Sequence, residues 1–150
     1  FHHLLPQCTL FENVLIPTLP FDKKIRTEKR DCAEELLQQV GIWERKNQKP
    51  GHLSGGECQR AAVVRAMINT PSILLADEPT GNLDSKTSED VLKLFDQLHR
   101  EGQTIILVTH EDLVGRHAER ILRMQDGKII SDEKTGSDRV IPTRQEADDE

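Results

Sequence analysis

The sequence has no hydrophobic run that approaches the roughly 20 apolar residues needed to span a bilayer. Its 150 residues are 35% hydrophobic and 31% charged, which predicts a soluble, rather polar domain large enough for a core. The early apolar stretch is interrupted by Pro6, Pro17 and Pro20, so it lacks the pattern of a signal peptide. Because the first residue is Phe1 rather than methionine, we expect the chain to begin within a longer protein.

Patterns typical of disulfide frameworks, metal sites and nucleic-acid binding are missing too. Cys8, Cys32 and Cys58 are widely spaced and form no CxxC, so we interpret them as reduced thiols. The six histidines include no HExxH or other ligand spacing, which argues against a metal site built only from protein ligands. A formal net charge of −6 gives no basic footprint, so we expect no nucleic-acid partner.

A phosphate-binding loop of the form G-x-x-x-x-G-K-S/T is also absent. Residues 51–56 have its glycine spacing, but glutamate and cysteine follow where lysine and serine or threonine belong. Ser54, Gly55 and Gly56 nevertheless place bare N–H groups at the start of an apolar helix, an arrangement that binds anions. Ser54 and Glu57 also fit a capping box. A cap needs no double glycine, whereas close approach of a phosphate does, and both interpretations stay open.

Hydrophobic periodicity predicts alternating helices and strands. The helices lie within 27–41, with Thr27 as N-cap, and within 54–71, 85–102 and 111–119. The strands lie within 72–77, which we expect to be an interior strand, within 103–110, and on both sides of a turn at Asp126-Gly127. The alternation favours an α/β fold with a parallel sheet. The polar end of the chain is expected to be loose.

Polar residues follow two of these strands, Asp77-Glu78 after one and Thr109-His110 after the next. In open parallel sheets, ligands bind beyond the carboxyl ends of the strands. Asp77 is placed to hold Mg²⁺ through water, Glu78 to orient or deprotonate a water, and His110 to touch a terminal phosphate. Taken alone, Asp77-Glu78 also fits an acidic pair that caps a strand, and His110 also fits a loop histidine that is hydrogen-bonded to the backbone. Their coincidence favours phosphoryl transfer to water.

Four motifs, taken together and in this order, resemble those of the ATP-binding cassette (ABC) ATPases. They are the signature LSGGE (53–57), the Walker B strand ILLADE (73–78), the D-loop GNLD (81–84) and the switch histidine in VTHE (108–111). The match extends from residue 1 to about residue 133. The resemblance implies a partial P-loop NTPase of the α/β class, with a RecA-like parallel-sheet core and an ABC helical subdomain. It places the helical subdomain at 1–70, the core at 71–134 and a flexible tail at 135–150.

The resemblance also implies the ligands and partners. ATP and Mg²⁺ would be the cofactors, with Glu78 and His110 catalytic and Asp77 on the metal. The residues in contact with nucleotide would be Ser54, Gly55, Gly56, Glu57 and Asp84. The signature would act in trans, in a head-to-tail dimer with a second ATPase subunit. The missing phosphate loop is expected upstream of Phe1. The given chain is expected to start just after the Q-loop glutamine. Transmembrane permease subunits would hold the complete protein at the inner face of the membrane and contact the helical subdomain.

The function that follows is ATP hydrolysis coupled to transport, with the fragment alone expected to be inactive. The stretch ADEPTGNLD (76–84) resembles a subgroup of lipoprotein-releasing, macrolide-export and cell-division ATPases, and FHHLLP with ENVLIP is most similar to the lipoprotein-releasing members. One departure is Cys58, where a polar or basic residue is expected. The alternatives are a soluble ABC ATPase of translation or DNA repair, and a non-catalytic binding module. Translation-type members carry NHLD in place of GNLD, and intact Asp77, Glu78 and His110 argue against the module.

Overall fold

The computed structural model describes residues 3–135. The chain divides into two compact units, Phe1–His110 and Glu111–Glu150. The first contains α1 (Leu10–Leu15), α2 (Lys23–Gln39), α3 (Gly55–Met67), β1 (Ile73–Asp77), α4 (Ser85–Arg100) and β2 (Thr104–Val108), with 3₁₀ turns at Ile16–Thr18, Trp43–Arg45 and Pro50–His52. The second contains α5 (Asp112–Gly115), β3 (Arg120–Gln125) and β4 (Lys128–Lys134). The predicted boundary near residue 70 stays a prediction, and the predicted tail lies outside the described residues beyond Thr135.

Helix α1 was not predicted by periodicity, because six residues make fewer than two turns and are too short a window for a helical period. Its sequence signal is a capping box at Thr9 and Glu12. The Thr9 hydroxyl accepts a hydrogen bond from the Glu12 N–H at 3.2 Å, and the Glu12 carboxylate accepts one from the Thr9 N–H at 2.7 Å. The pattern T-x-x-E is the signature of a helix start and could have located this helix.

The N-cap of helix α2 lies five residues before the predicted one, so the assignment of Thr27 as N-cap is wrong. Asp22 is the N-cap, and its carboxylate accepts a hydrogen bond from the Ile25 N–H at 3.0 Å. Thr27 lies inside the helix, where its hydroxyl donates to the Lys23 carbonyl at 2.9 Å. Both residue types are good N-caps, and the aspartate precedes an uninterrupted helical segment.

Helix α3 contributes to two hydrophobic clusters. The first packs α1, α2 and α3 together and consists of Leu10, Val14, Ala33, Leu37, Ile42, Ala61, Val64 and Ile68. The second packs α3, α4 and β1 together and consists of Val63, Leu74, Val91, Leu94, Phe95 and Leu98. The second cluster thus buries an apolar stripe of α4, and α3 contributes buried residues to both clusters.

Strands β1 and β2 pair in parallel, with Ile73 opposite Thr104 and Asp77 opposite Val108. The parallel sheet predicted from the alternation of elements is confirmed. Within residues 3–135, β2 is the only strand that pairs with β1. One face of β1 is exposed, and Leu75 on that face has a relative solvent accessibility of 72%. In this part of the chain β1 is thus not the interior strand that its apolar run predicts.

The second unit contains the predicted hairpin. Asp126 and Gly127 have φ values of +50° and +74°, the combination that a two-residue type I′ turn requires. Arg120 forms a bidentate ion pair with Asp132 across the hairpin. The distances from Nε to Oδ1 and from Nη2 to Oδ2 are both 2.8 Å.

Cys8, Cys32 and Cys58 form no disulfide with one another. None of the helices within residues 3–135 combines the length and the apolar character that a membrane crossing would need.

Candidate functional site

Glu78 stands directly after β1 in an uncommon backbone conformation, with φ at +44°. A left-handed conformation costs a residue that has a Cβ about 1–2 kcal/mol. The Glu78 N–H donates to the Val108 carbonyl at 2.9 Å, which extends the parallel ladder by one residue. Such an outlier, maintained by its surroundings, is an observation from which a functional role can be hypothesised.

The carboxylate of Glu78 is bound by the loop that follows β2. Glu78 Oε1 accepts a hydrogen bond from the His110 N–H at 3.0 Å and lies 2.7 Å from His110 Nδ1. Glu78 Oε2 lies 3.4 Å from the Thr109 hydroxyl. The structure therefore brings together two residues that are 32 positions apart in the sequence, as expected for residues after neighbouring parallel strands.

These contacts set the charge of Glu78. The His110 side chain, through its hydrogen bond, is the main cause that lowers the pKa of Glu78 below its usual value. The group is therefore ionised at neutral pH. A carboxylate with a lowered pKa is a weaker base, but it keeps its negative charge at neutral pH. This geometry therefore suits orienting a water better than deprotonating it. His110 itself is 79% exposed at its side chain and accessible to a ligand.

Asp77 is the last residue of β1 and is exposed, beside Glu78 and opposite Val108. Mg²⁺ in proteins is held by one or two carboxylates, together with waters and substrate phosphates. The donor set at this strand end, carboxylate oxygens that face solvent, fits that requirement. Asp77 is the residue that would hold the ion, and this role stays a prediction.

The start of α3 is a complete capping box. Ser54 Oγ accepts a hydrogen bond from the Glu57 N–H at 3.2 Å, and Glu57 Oε2 accepts one from the Ser54 N–H at 2.7 Å. The capping interpretation is therefore confirmed. Among residues 3–135, no acceptor is assigned to the N–H groups of Gly55 and Gly56. The anion interpretation thus remains compatible with the same geometry.

The two glycines also have a packing role that the sequence does not reveal. A Cβ on Gly56 would lie 2.3 Å from Cγ2 of Thr87, and one on Gly55 would lie 2.9 Å from Cδ2 of Leu83. Gly56 therefore lies closer to Thr87 in the first turn of α4 than a side chain would permit, whereas a Cβ on Gly55 would need a shift of the Leu83 side chain. The assumption that only a bound phosphate explains the double glycine is wrong.

Asp84 is the N-cap of α4. Its Oδ1 accepts a hydrogen bond from the Thr87 N–H at 3.0 Å, and its Oδ2 accepts one from the Thr87 hydroxyl at 2.5 Å. The hydroxyl bond is the main cause that lowers the pKa of Asp84. These contacts give Asp84 a structural role, and its predicted contact with nucleotide stays a prediction.

Two residues near these motifs were missed by sequence reasoning. Thr87 could have been found from the pattern D-x-x-T at the start of α4, which resembles a cap. Arg45, whose Nε lies 2.9 Å from Glu57 Oε1, has no local signal, because the two residues are 12 positions apart and belong to different elements.

The sequence profile described as ABC transporter matches residues 1–81. This chain belongs to the ABC transporter family. Its α/β architecture with a parallel sheet agrees with that assignment, and the predicted fold class is confirmed.

Individual members of the ABC transporter family are similar over most of the chain. A lipoprotein-releasing system ATP-binding protein LolD from Geobacter metallireducens is 47% identical over 133 residues, covering 88% of this chain and 59% of that protein. A macrolide export ATP-binding/permease protein MacB from Shewanella sp. (strain ANA-3) is 47% identical over 139 residues, covering 93% of this chain and 21% of that protein.

A solved structure gives the same picture. The ATP-binding cassette MJ0796, in a dimeric post-hydrolysis state bound to ADP and Pi, is 36% identical with a TM-score of 0.71. The alignment covers 89% of this chain and 59% of that one. The chain thus spans about three fifths of the LolD relative and of the solved cassette.

Proposed function

We propose that the complete protein containing this chain is the ATP-binding subunit of an ABC transporter and hydrolyses MgATP. The observation that carries the proposal is the carboxylate of Glu78, held by His110 and Thr109 at the end of two parallel strands and beside Asp77. Positioning and charge stabilisation supply most of the catalysis in phosphoryl transfer. A rigidly held carboxylate, a neighbouring metal ligand and an exposed histidine are the parts that such a reaction uses.

Each residue has a proposed role. Asp77 holds Mg²⁺, which would balance the charge on the phosphates, and Glu78 orients the attacking water. His110 contacts the terminal phosphate. These assignments are supported by family membership and by the contact between Glu78 and His110, since both residues lie at the carboxyl end of the sheet.

The helix start at Gly55 and Gly56 would serve a nucleotide held mainly by a second copy, in a head-to-tail dimer. The two N–H groups without an assigned acceptor in the described chain support this role, and MJ0796 is a dimer in its solved structure. Transmembrane permease subunits would couple hydrolysis to transport at the inner face of the membrane. Ser54, Glu57 and Asp84 would shape this contact through the two helix caps they form.

The transported substrate is proposed to be a lipoprotein, released from the membrane. The similarity to LolD and the stretches FHHLLP and ENVLIP support this choice. Macrolide export is the second candidate, because the identity to MacB is also 47%. Co-expression with each type of permease, followed by ATPase assays in the presence of lipoprotein or macrolide, separates the two.

The hydrolysis itself is tested by Mg²⁺-dependent phosphate release from the complete protein. We expect Asp77→Asn to abolish the Mg²⁺-dependent rate, whereas Asp90→Asn on the exposed face of α4 leaves it unchanged. A parental protein that releases no phosphate from MgATP, alone or with permease subunits, would refute the proposed function.

A further inference from the structure

Glu57 places a carboxylate in the first turn of α3, next to the two N–H groups that the proposed function assigns to a phosphate. A negative charge at that position repels an approaching anion, and the repulsion grows as water is displaced from between them. Two neighbouring groups bind this carboxylate. Glu57 Oε2 binds the Ser54 N–H at 2.7 Å, and Oε1 binds Arg45 Nε at 2.9 Å.

Arg45 is placed for this contact by the turn that contains it. The 3₁₀ helix Trp43–Arg45 follows the fully buried Ile42, and the Arg45 N–H donates to the Ile42 carbonyl at 3.0 Å. The neighbouring cation, Lys46, lies over the Trp43 ring, 3.5 Å from its centroid. Within residues 3–135, Arg45 is therefore the cation that forms an ion pair with Glu57.

The carboxylate is more enclosed than its partner. The Glu57 side chain is 18% exposed and that of Arg45 is 50% exposed. The hydrogen bond from the Ser54 N–H, followed by the contacts with the Ser54 hydroxyl and Arg45, lowers the pKa of Glu57. Glu57 thus remains ionised at neutral pH, and its charge has to be balanced by a neighbour whenever a phosphate approaches.

We propose that Arg45 is a positioning residue for the nucleotide contact of α3. It neutralises Glu57 and holds this carboxylate in the capping box. The N–H groups of Gly55 and Gly56 then face a phosphate without an opposing charge. This inference rests on the proposed function, and it adds a residue that none of the four motifs contains.

The test measures kcat and KM for ATP in the complete protein and in Arg45→Met, Glu57→Gln and the double variant. Glutamine at the third helical position keeps the capping box, so Glu57→Gln removes the charge and preserves the cap. Arg26→Met on the exposed side of α2 is the matched control. We expect Arg45→Met to lower kcat/KM about tenfold, mainly through KM, because one uncompensated charge then faces the phosphate. We expect the double variant to return to within about twofold of Glu57→Gln.

Several outcomes would overturn the inference. If Arg45→Met leaves kcat/KM unchanged, Arg45 does not act on the nucleotide contact. If the double variant stays as impaired as Arg45→Met, the charge of Glu57 is not the reason. If Arg45→Met does not fold, the charged Arg45→Lys and the neutral Arg45→Gln are compared instead. If both lower kcat/KM equally, the charge of residue 45 is not the reason for the effect. An inactive parental protein would instead refute the proposed function.

Discussion

The methyl group of Thr87 occupies the space next to Gly56 in which a side chain would begin. A Cβ on Gly56 would lie 2.3 Å from Thr87 Cγ2, a distance that real Cβ contacts do not reach. The hydroxyl of the same threonine donates to Asp84, so one side chain connects the signature helix to the D-loop. A side chain at position 56 therefore requires a shift of Thr87 or of the start of α3.

Replacing Gly56 by alanine should destabilise the protein by about 1–3 kcal/mol, the usual cost of overpacking. Urea unfolding of the parental and variant proteins measures the difference in free energy. Thr87→Ser removes Cγ2 but keeps the hydroxyl for Asp84, so it should restore most of the stability in the Gly56→Ala background. Gly51→Ala is the control, because nothing lies within 4 Å of a Cβ at that position. Equal stability of Gly56→Ala and Gly51→Ala would contradict the prediction.

Glu78→Gln in the complete protein should lower the rate of ATP hydrolysis by about 10²-fold, the cost of a misplaced reactant, because the neutral amide no longer orients the attacking water with a negative charge. Binding of MgATP should persist, because the amide has the same shape and Asp77 is untouched. Phosphate release and equilibrium nucleotide binding measure the two effects separately. Glu89→Gln, on the exposed side of α4, serves as the control. Hydrolysis by Glu78→Gln near the parental rate would exclude Glu78 from the reaction.

His110→Ala should raise the pKa of Glu78 toward its ordinary value, because the hydrogen bond from the His110 side chain is the main cause of the lowering. A carboxyl titration followed by NMR measures the pKa directly, with His52→Ala as the control. The lowered pKa also makes the free energy of unfolding depend on pH. A lowered pKa in the folded state stabilises the fold above the unfolded pKa, and this contribution disappears as the pH falls through the folded pKa. An unchanged pKa in His110→Ala would show that the contact does not persist in solution.

Asn13 should be the least replaceable polar residue of α1. Its side chain is fully buried, accepts a hydrogen bond from the Leu5 N–H at 2.7 Å, and donates to the carbonyls of Leu5, Cys8 and Thr9. Asn13→Leu leaves these backbone groups without their partner, so we expect a loss of about 1–3 kcal/mol. Thermal or urea unfolding measures this loss against the exposed Asn47→Leu. The idea fails if both variants are equally stable.

Much of the local structure was predictable from short stretches. The capping box at Ser54 and Glu57, the stripe of α4 and the turn at Asp126-Gly127 all depend on residues within a few positions of one another. Helix starts were less certain, as Asp22 and Thr27 show. Both side chains can cap a helix, and the choice between them depends on where the preceding chain turns.

The sequence by itself determined which groups stand at the strand ends and helix starts, because those positions follow from patterns of neighbouring residues. Only the tertiary structure decided which of these groups touch. Glu78 meets His110, Gly56 meets Thr87, and Arg45 meets Glu57. These pairs are 32, 31 and 12 positions apart, and no local pattern links their members. Their contact depends on how β1, β2, α3 and α4 pack, and that packing is set by the buried apolar faces of these elements rather than by the polar residues they bring together.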